Sequence, residues 1–182
     1  MIRKIIISCI AATSLILFST QAFALINFSV GVPLSHTFSG EYNGGGEVKS
    51  DGVSGYFIQI GVPILPGIGM DNYKTKLKVD GATEQHEVET SIYNLYYLLP
   101  IPVINITLGA GVGSTEIKFS GSEKYFDKGP ASQVYASLGF PIIPLFDLHL
   151  SYRSVSSKVK IKSGGEHDVG GSVMGLGIGF NF

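Results

Sequence analysis

Apolar and polar residues alternate with a period of two over most of the chain. In the first such run, Ile26 to Phe38, the even positions are apolar except for His36, and the odd positions are small or polar. Successive side chains of a β-strand point to opposite faces, so this period predicts strands and not helices. The same register returns at 56–64, 104–112, 134–140, 148–152 and 174–182, and less clearly at 90–99.

Uncharged stretches and charged clusters alternate on a larger scale. Three internal uncharged stretches each join two strands through a short apolar break that contains proline: 52–70, 90–115 and 129–146. Proline disrupts a helix interior, so these stretches are not membrane-spanning helices. Apart from Asp147, the charges after residue 24 lie in four polar connections: 41–51, 71–89, 116–128 and 153–168. Three hairpins and two single terminal strands predict eight strands of 9–13 residues.

The leading segment has the form of a secretory signal peptide. Arg3 and Lys4 precede a short apolar run, and Ala22-Phe23-Ala24 matches the small-x-small cleavage pattern. We predict cleavage after Ala24, which leaves a single domain over 25–182. A retained membrane anchor is the alternative, although the apolar run is short for a span. The one cysteine, Cys9, leaves with the peptide, so neither disulfides nor a multi-cysteine metal site are expected.

Composition favours a membrane protein over a soluble one. The chain is 45% apolar and 15% charged, against roughly 25% charged in soluble domains. A net charge of −1 gives no basic field for nucleic acid. No cofactor or metal is predicted. Alternation also suits a soluble sandwich, but short turns on one side and longer polar loops on the other are typical of membrane barrels. We therefore predict an all-β, monomeric, eight-stranded antiparallel up-and-down transmembrane barrel, closed because lipid tolerates no open sheet edge.

The chain ends Gly179-Phe180-Asn181-Phe182. This ending resembles that of bacterial outer-membrane barrel proteins, whose last strand ends in phenylalanine with apolar residues at alternate positions before it. Size and strand count are similar to the small OmpA-, OmpX- and OmpW-type barrels. The resemblance implies a Gram-negative outer membrane, contact with its lipid and lipopolysaccharide, and recognition of Phe180 and Phe182 by the barrel-assembly machinery.

Inward-facing residues predict a polar plug. Eight strands enclose just enough room for side chains, which excludes a wide porin. Arg153 points inward and needs a carboxylate, because an unpaired guanidinium in a narrow lumen is costly. Asp71 is the predicted partner, since Asp147 lies roughly 20 Å away along the strand of Arg153. The inward polar set is Gln59, Asp71, Asn94, Asn105, Tyr135, Asp147, His149, Arg153 and Asn181. A gated or selective pore is the alternative.

Two lysine ladders have matching spacing, with lysines at 74, 76 and 78 and at 158, 160 and 162. If the strand register holds, Lys74, Lys76 and Lys78, like Lys158, Lys160 and Lys162, face outward just above the lipid band. Lysine binds phosphate as a point charge, so we predict that the ladders clamp lipopolysaccharide. Solvated strand extensions, with lysine protecting an exposed face, are the alternative.

Aromatic residues fit belts at both membrane interfaces. The expected periplasmic belt is Phe28, Phe140, Phe146, Phe180 and Phe182, and the expected outer belt is Phe38, Tyr56 and Tyr152.

An enzymatic hypothesis comes from His149-Leu150-Ser151. The H-x-S spacing resembles that of outer-membrane lipid A deacylases, in which a histidine base and a serine nucleophile suit acyl transfer. Here the parity points both side chains into the lumen, and Tyr152 stands where that family has asparagine.

We therefore predict a non-enzymatic structural or surface-interaction role with the long loops facing the exterior. A narrow channel for small or apolar solutes, similar to OmpW-type proteins, is the second hypothesis, and a lipid A acyl-modifying enzyme is the third. The channel would require a continuous glycine-lined lumen or a lateral opening near Gly109, Gly111, Gly175, Gly177 and Gly179.

Overall fold

The computed structural model describes residues 26–39, 49–62, 65–78, 86–99, 101, 104–119, 127–143, 145–160, 162 and 165–182. The predicted signal peptide lies outside these residues. The strands are β1 Asn27–Phe38, β2 Lys49–Gly61, β3 Gly67–Lys78, β4 His86–Leu99, β5 Asn105–Phe119, β6 Gly129–Ile143, β7 Phe146–Lys160, β8 Glu166–Asp168 and β9 Gly171–Asn181. No helix within the described ranges is long and apolar enough to cross a membrane.

Eight strands form a closed antiparallel barrel, which confirms the predicted fold. Strands β1 to β7 pair in chain order, β7 pairs with β9, and β9 pairs with β1 from Asn27↔Asn181 to Phe38↔Gly171. Backbone hydrogen bonds between Ile26 and Phe182 continue this seam. Both ends of the barrel chain therefore lie at the end that carries the short turns. The short strand β8, which was not predicted, pairs with β7 from Lys158 to Lys160.

The barrel strands are 11 to 15 residues long, and β4, β5, β6 and β7 exceed the predicted range. The additional length lies at the loop end, where parts of the charged clusters are strands and not loops. Lys74 lies in β3, Glu89 in β4 and Lys158 in β7. The barrel wall therefore continues past the apolar part of its own outer surface.

The polarity of the two barrel faces reverses along each strand. On β7 the outward residues change from Leu148 and Leu150 to Ser154 and Lys158, while the inward residues change from Asp147 to Val159. The change on the outside occurs at a ring of small polar side chains, one from each barrel strand, that we call the polar collar. It consists of Thr37, Ser54, Asn72, Ser91, Ser114, Ser132, Ser154 and Ser172. Below the collar the outside is apolar, as in a membrane protein. Above it the inside holds the apolar residues Val88, Val159 and Val169 together with buried hydroxyl groups of Thr75, Thr90, Thr115 and Ser157.

A β-bulge in β1 overturns two predictions. The register shifts between Pro33 and Ser35, so the residues that follow change faces. His36 is buried in the lumen, although the alternation placed it outside. Phe38 also points inward and is not part of an outer aromatic belt. The extra residue, Leu34, stays on the apolar exterior.

The remaining aromatic residues lie near both edges of the apolar exterior. At the turn end the ring of Phe180 lies 5.0 Å from that of Phe146 and 6.2 Å from that of Phe28. Towards the collar, Tyr56 and Tyr152 are exposed on the outer surface.

The inward glycines make room for large neighbours. A Cβ atom on Gly109 would lie 2.2 Å from the ring of Tyr135, and one on Gly175 would lie 2.5 Å from the ring of Phe57. Cβ atoms on the other glycines of the channel hypothesis, Gly111, Gly177 and Gly179, would meet Asn94, His149 and Asp147. The glycines therefore line filled space and not an open passage.

We expect Gly109→Val to destabilise the barrel by about 1–3 kcal/mol, because the added methyl groups overlap the Tyr135 ring. Ala110→Val is the matched control, since Ala110 is exposed on the outer face of the same strand. Urea unfolding of the refolded protein, followed by gel mobility of unheated samples, measures the difference. Equal stability of the two variants would contradict this packing.

Candidate functional site

The centre of the lumen holds a buried ion pair. Arg153 Nε donates a hydrogen bond to Asp71 Oδ2 at 2.9 Å, and both side chains are almost fully buried. Gln133 Nε2 donates to the same carboxylate oxygen at 2.5 Å. The guanidinium also donates to Ser151 Oγ and lies 3.5 Å from the centroid of the Phe57 ring. The Arg153 charge therefore meets a carboxylate, a hydroxyl and an aromatic face, and the carboxylate is that of Asp71.

A second polar network closes the turn end of the lumen around Asp147. Its Oδ2 accepts hydrogen bonds from Asn105 at 2.9 Å and from Asn181 at 3.1 Å. Its Oδ1 lies 3.0 Å from Nδ1 of His149. Asn181 in turn accepts a hydrogen bond from Asn27 at 2.7 Å. This network spans the closing seam, and it is separate from Arg153.

A third group of residues fills the space between these two networks. Gln59 accepts a hydrogen bond from Ser29 at 3.1 Å and donates one to the Tyr135 hydroxyl at 2.7 Å. A cavity of about 20 Å³ remains beside His149 and Ser151, which is room for roughly one water molecule. The nine residues of the predicted inward polar set all point into the lumen: Gln59, Asp71, Asn94, Asn105, Tyr135, Asp147, His149, Arg153 and Asn181.

An apolar cluster fills the lumen above the polar networks. Val88, Val159 and Val169 are buried there, with Phe38 and Leu77 packed against them. This apolar cap was not predicted, although Val159 has the inward parity of Arg153. The described part of the lumen thus contains polar networks at its centre and turn end and this apolar cap towards its loop end.

The His149-Leu150-Ser151 motif does not form a nucleophile–base pair here. The Ser151 hydroxyl donates to the backbone carbonyl of Gly175 at 3.2 Å and accepts from Arg153. His149 faces Asp147 through Nδ1, and within the described residues no hydrogen bond joins it to Ser151. The same part of the chain contains no group of three or more histidine, cysteine or acidic residues arranged to hold a metal ion.

The lysine ladders lie above the collar on opposite sides of the barrel. Lys76, Lys158 and Lys160 are exposed on the outer face, and Lys74 is partly so. Lys162 is exposed beyond the end of β7, whereas the side chain of Lys78 lies outside the described part. Three strands separate β3 from β7 in either direction around the ring, so the two ladders face away from each other.

Carboxylates from β4 partly neutralise the first ladder. Lys74 Nζ lies 3.3 Å from Glu87 Oε1 and 3.7 Å from Glu89 Oε2, and Lys118 also pairs with Glu89. The direct hydrogen bond from Lys118 holds the pKa of Glu89 below its usual value. In the second ladder, Lys158 and Lys160 lie opposite the acidic residues of β8 in the register, but form no ion pair among the described residues.

The outer surface carries a broad apolar groove of about 780 Å³ across β2 to β5. Ile58, Ile68, Leu95 and Val112 line it, and Ala110 leaves it deep because its side chain is small. The groove lies below the collar, within the apolar exterior. The larger cavity is therefore on the outside of the barrel and not in the lumen.

Solved structures share this architecture. Ail, the attachment invasion locus protein of Yersinia pestis, superposes with a TM-score of 0.52 at 18% sequence identity, over 86% of this chain and 97% of Ail. Neisserial surface protein A superposes with a TM-score of 0.51 at 13% identity, over 86% of this chain and 96% of the other. The chain has the fold of small outer-membrane barrels. No family model matches the sequence, and neither does any curated protein.

We expect Arg153→Met to destabilise the protein by about 3–5 kcal/mol, because it leaves the Asp71 carboxylate buried without its counter-charge. The double variant Asp71→Asn/Arg153→Met should be more stable than Arg153→Met alone, since it removes both charges. Urea unfolding measures both, with Lys76→Met as the exposed control on the strand of Asp71. Additive losses in the double variant would contradict a coupled pair.

Proposed function

We propose that the protein is a monomeric, non-conducting outer-membrane barrel with a non-enzymatic surface role. The observation that carries the proposal is the distribution of polarity around a closed barrel: apolar outside, filled inside. An apolar exterior ending at a polar collar suits lipid, and every strand edge in the ring is paired. The shared fold of Ail and Neisserial surface protein A supports the same reading.

Export and assembly form part of the proposal. The signal peptide over 1–24 would direct secretion, and 25–182 would form the single barrel domain. Phe182 is exposed at the end of the closing seam, stacked on Phe180 at 6.4 Å between ring centroids. An accessible aromatic end of this kind supports recognition by the barrel-assembly machinery.

The two alternative functions have less support. A channel needs a continuous passage, whereas the glycines that would line it face large side chains and the lumen holds a plug and a cap. A lipid A acyl-modifying enzyme needs a serine that its histidine base can deprotonate, whereas the Ser151 hydroxyl is directed to Gly175.

Expressed in a Gram-negative host, the protein should sediment with the outer membrane and require detergent for extraction. Unheated samples should migrate differently from boiled ones, because a closed barrel resists unfolding in detergent. In planar bilayers the purified protein should add no steady current. A processed chain that is soluble without detergent would contradict the barrel, and a sustained conductance would contradict the plug.

We also propose that outward lysines contact lipopolysaccharide phosphates above the collar. Lys76, Lys158 and Lys160 support this, since they are exposed and form no ion pair among the described residues. Ail has been solved in complex with the heparin analogue sucrose octasulfate, a polyanion, at 17% identity to this chain. The β7 ladder is the stronger candidate, because in the β3 ladder Lys74 already forms ion pairs with Glu87 and Glu89.

Replacing Lys158, Lys160 and Lys162 with glutamine should reduce lipopolysaccharide retained through purification in mild detergent more than replacing Lys74, Lys76 and Lys78. The matched control replaces Lys49, Lys118 and Lys128, which removes the same charge from other positions at the loop end. Retention is measured by phosphate and sugar content per protein. If the β7 variant retains as much as the control, the contact does not depend on the ladder.

A further inference from the structure

The turn end of the barrel exposes apolar side chains where a polar surface would be expected. Ile142 is 67% exposed, Leu65 60% and Phe182 62%, and Ile101, Ile143 and Leu145 are exposed as well. Among the described residues, every outward-facing charged side chain lies at the loop end. Asp147, the described charged residue nearest the turns, points into the lumen. The described residues of this end therefore include no counterpart of the polar collar.

The apolar wall formed by the strands alone is short for a membrane. On β2 the outward apolar run from Tyr56 to Val62 covers about 20 Å along the strand at about 3.3 Å per residue. At a tilt near 40° this is a height of about 15 Å, against about 25 Å for the band of outer-membrane barrels. On β6 the run continues from Val134 into the turn at Ile142, which raises the height to about 20 Å. The outward apolar runs of β1, from Ile26 to Leu34, and of β9, from Met174 to Phe182, reach about the same height without a turn. All of these heights are below the usual band, and the apolar turns add to the apolar surface.

The backbone of the turns is adapted to surroundings without water. Leu65 N donates to the carbonyl of Val62 at 3.1 Å, and Ile101 N donates to that of Leu99 at 2.9 Å. The carbonyl of Leu145 accepts from Asn181 N at 3.0 Å. The turn segments also contain the prolines at 63, 66, 100, 102, 141 and 144, and proline has no N–H group to satisfy. These bonds and the prolines reduce the number of turn N–H groups that need water, which favours apolar surroundings.

We propose that the turn end is buried among the acyl chains of the periplasmic leaflet and does not face the periplasm. The molecules that cover this end are phospholipid acyl chains, because the apolar surface of the turns is continuous with the apolar exterior of β6 from Phe140 to Ile142. The proposal rests on the proposed function as an outer-membrane barrel. It adds how deeply the turn end lies in the bilayer and which end of the barrel faces the periplasmic leaflet. The collar and the charged side chains above it hold the loop end at the outer interface, and the bilayer thins locally around the barrel.

Tryptophan fluorescence tests this depth directly, because the chain contains no tryptophan. Ile142→Trp and Leu65→Trp place a reporter in two different turns. Leu150→Trp is the control within the apolar exterior, and Lys160→Trp is the control above the collar. All four native side chains are exposed on the outer surface. Each variant is refolded into phosphatidylcholine vesicles brominated at acyl carbons 6,7 or 11,12, and folding is checked by the mobility of unheated samples.

We expect both turn reporters to be quenched by bromines at carbons 6,7 about as strongly as Leu150→Trp is by those at 11,12. They should also show blue-shifted emission and several-fold weaker acrylamide quenching than Lys160→Trp. Acrylamide quenching equal to that of Lys160→Trp, with no effect of bromine, would overturn the proposal in favour of a water-facing end. Protection from both quenchers would overturn it in favour of a protein partner or a second copy.

The Leu150→Trp control separates this proposal from the proposed function. If it is quenched by bromine while the turn reporters are not, the barrel spans the membrane but its turns lie outside. If it is not quenched either, membrane insertion itself is wrong. Two turn reporters keep the test valid where one substitution prevents folding.

Discussion

The pairing of β1 with β9 is the interaction on which the other features depend. It closes eight strands into a ring whose interior has room only for side chains. Every inward polar group must then find its partner among the other inward groups. Arg153 meets Asp71 across 82 positions of the chain, and Asn27 meets Asn181 across 154. Without closure these residues would be on open sheet faces, and the buried charge of Arg153 would have no compensation.

Much of the architecture could be predicted from the two-residue period alone. The period assigned the faces of β5, β6, β7 and β9 correctly, because those strands are regular between the turns and the collar. It failed in β1, where the bulge between Pro33 and Ser35 adds a residue and reverses the faces of His36 and Phe38. A bulge has no signature in an apolar–polar pattern, so this error could be found only from the pairing with β9.

Partners between strands were harder to predict than faces. Asp71 could be chosen because the lumen contains one arginine and few carboxylates. Gln133 and Phe57 have the correct parity, yet their contacts with the same ion pair depend on the stagger between strands. The same holds for Glu87 and Glu89, which reach Lys74 from a neighbouring strand and change the charge of a ladder that looked purely basic in sequence.

The apolar cap gives the part above the collar a core of its own. Val88, Val159 and Val169 pack there independently of the ion pair below and of any lipid outside. That upper section extends the barrel wall past the polar collar, and its core holds the strand ends together. The packing that fixes these strand ends is thus separate from the sequence of the segments that connect them. Such a separation would allow the face presented to the environment to diversify under selection while the embedded part stays constant.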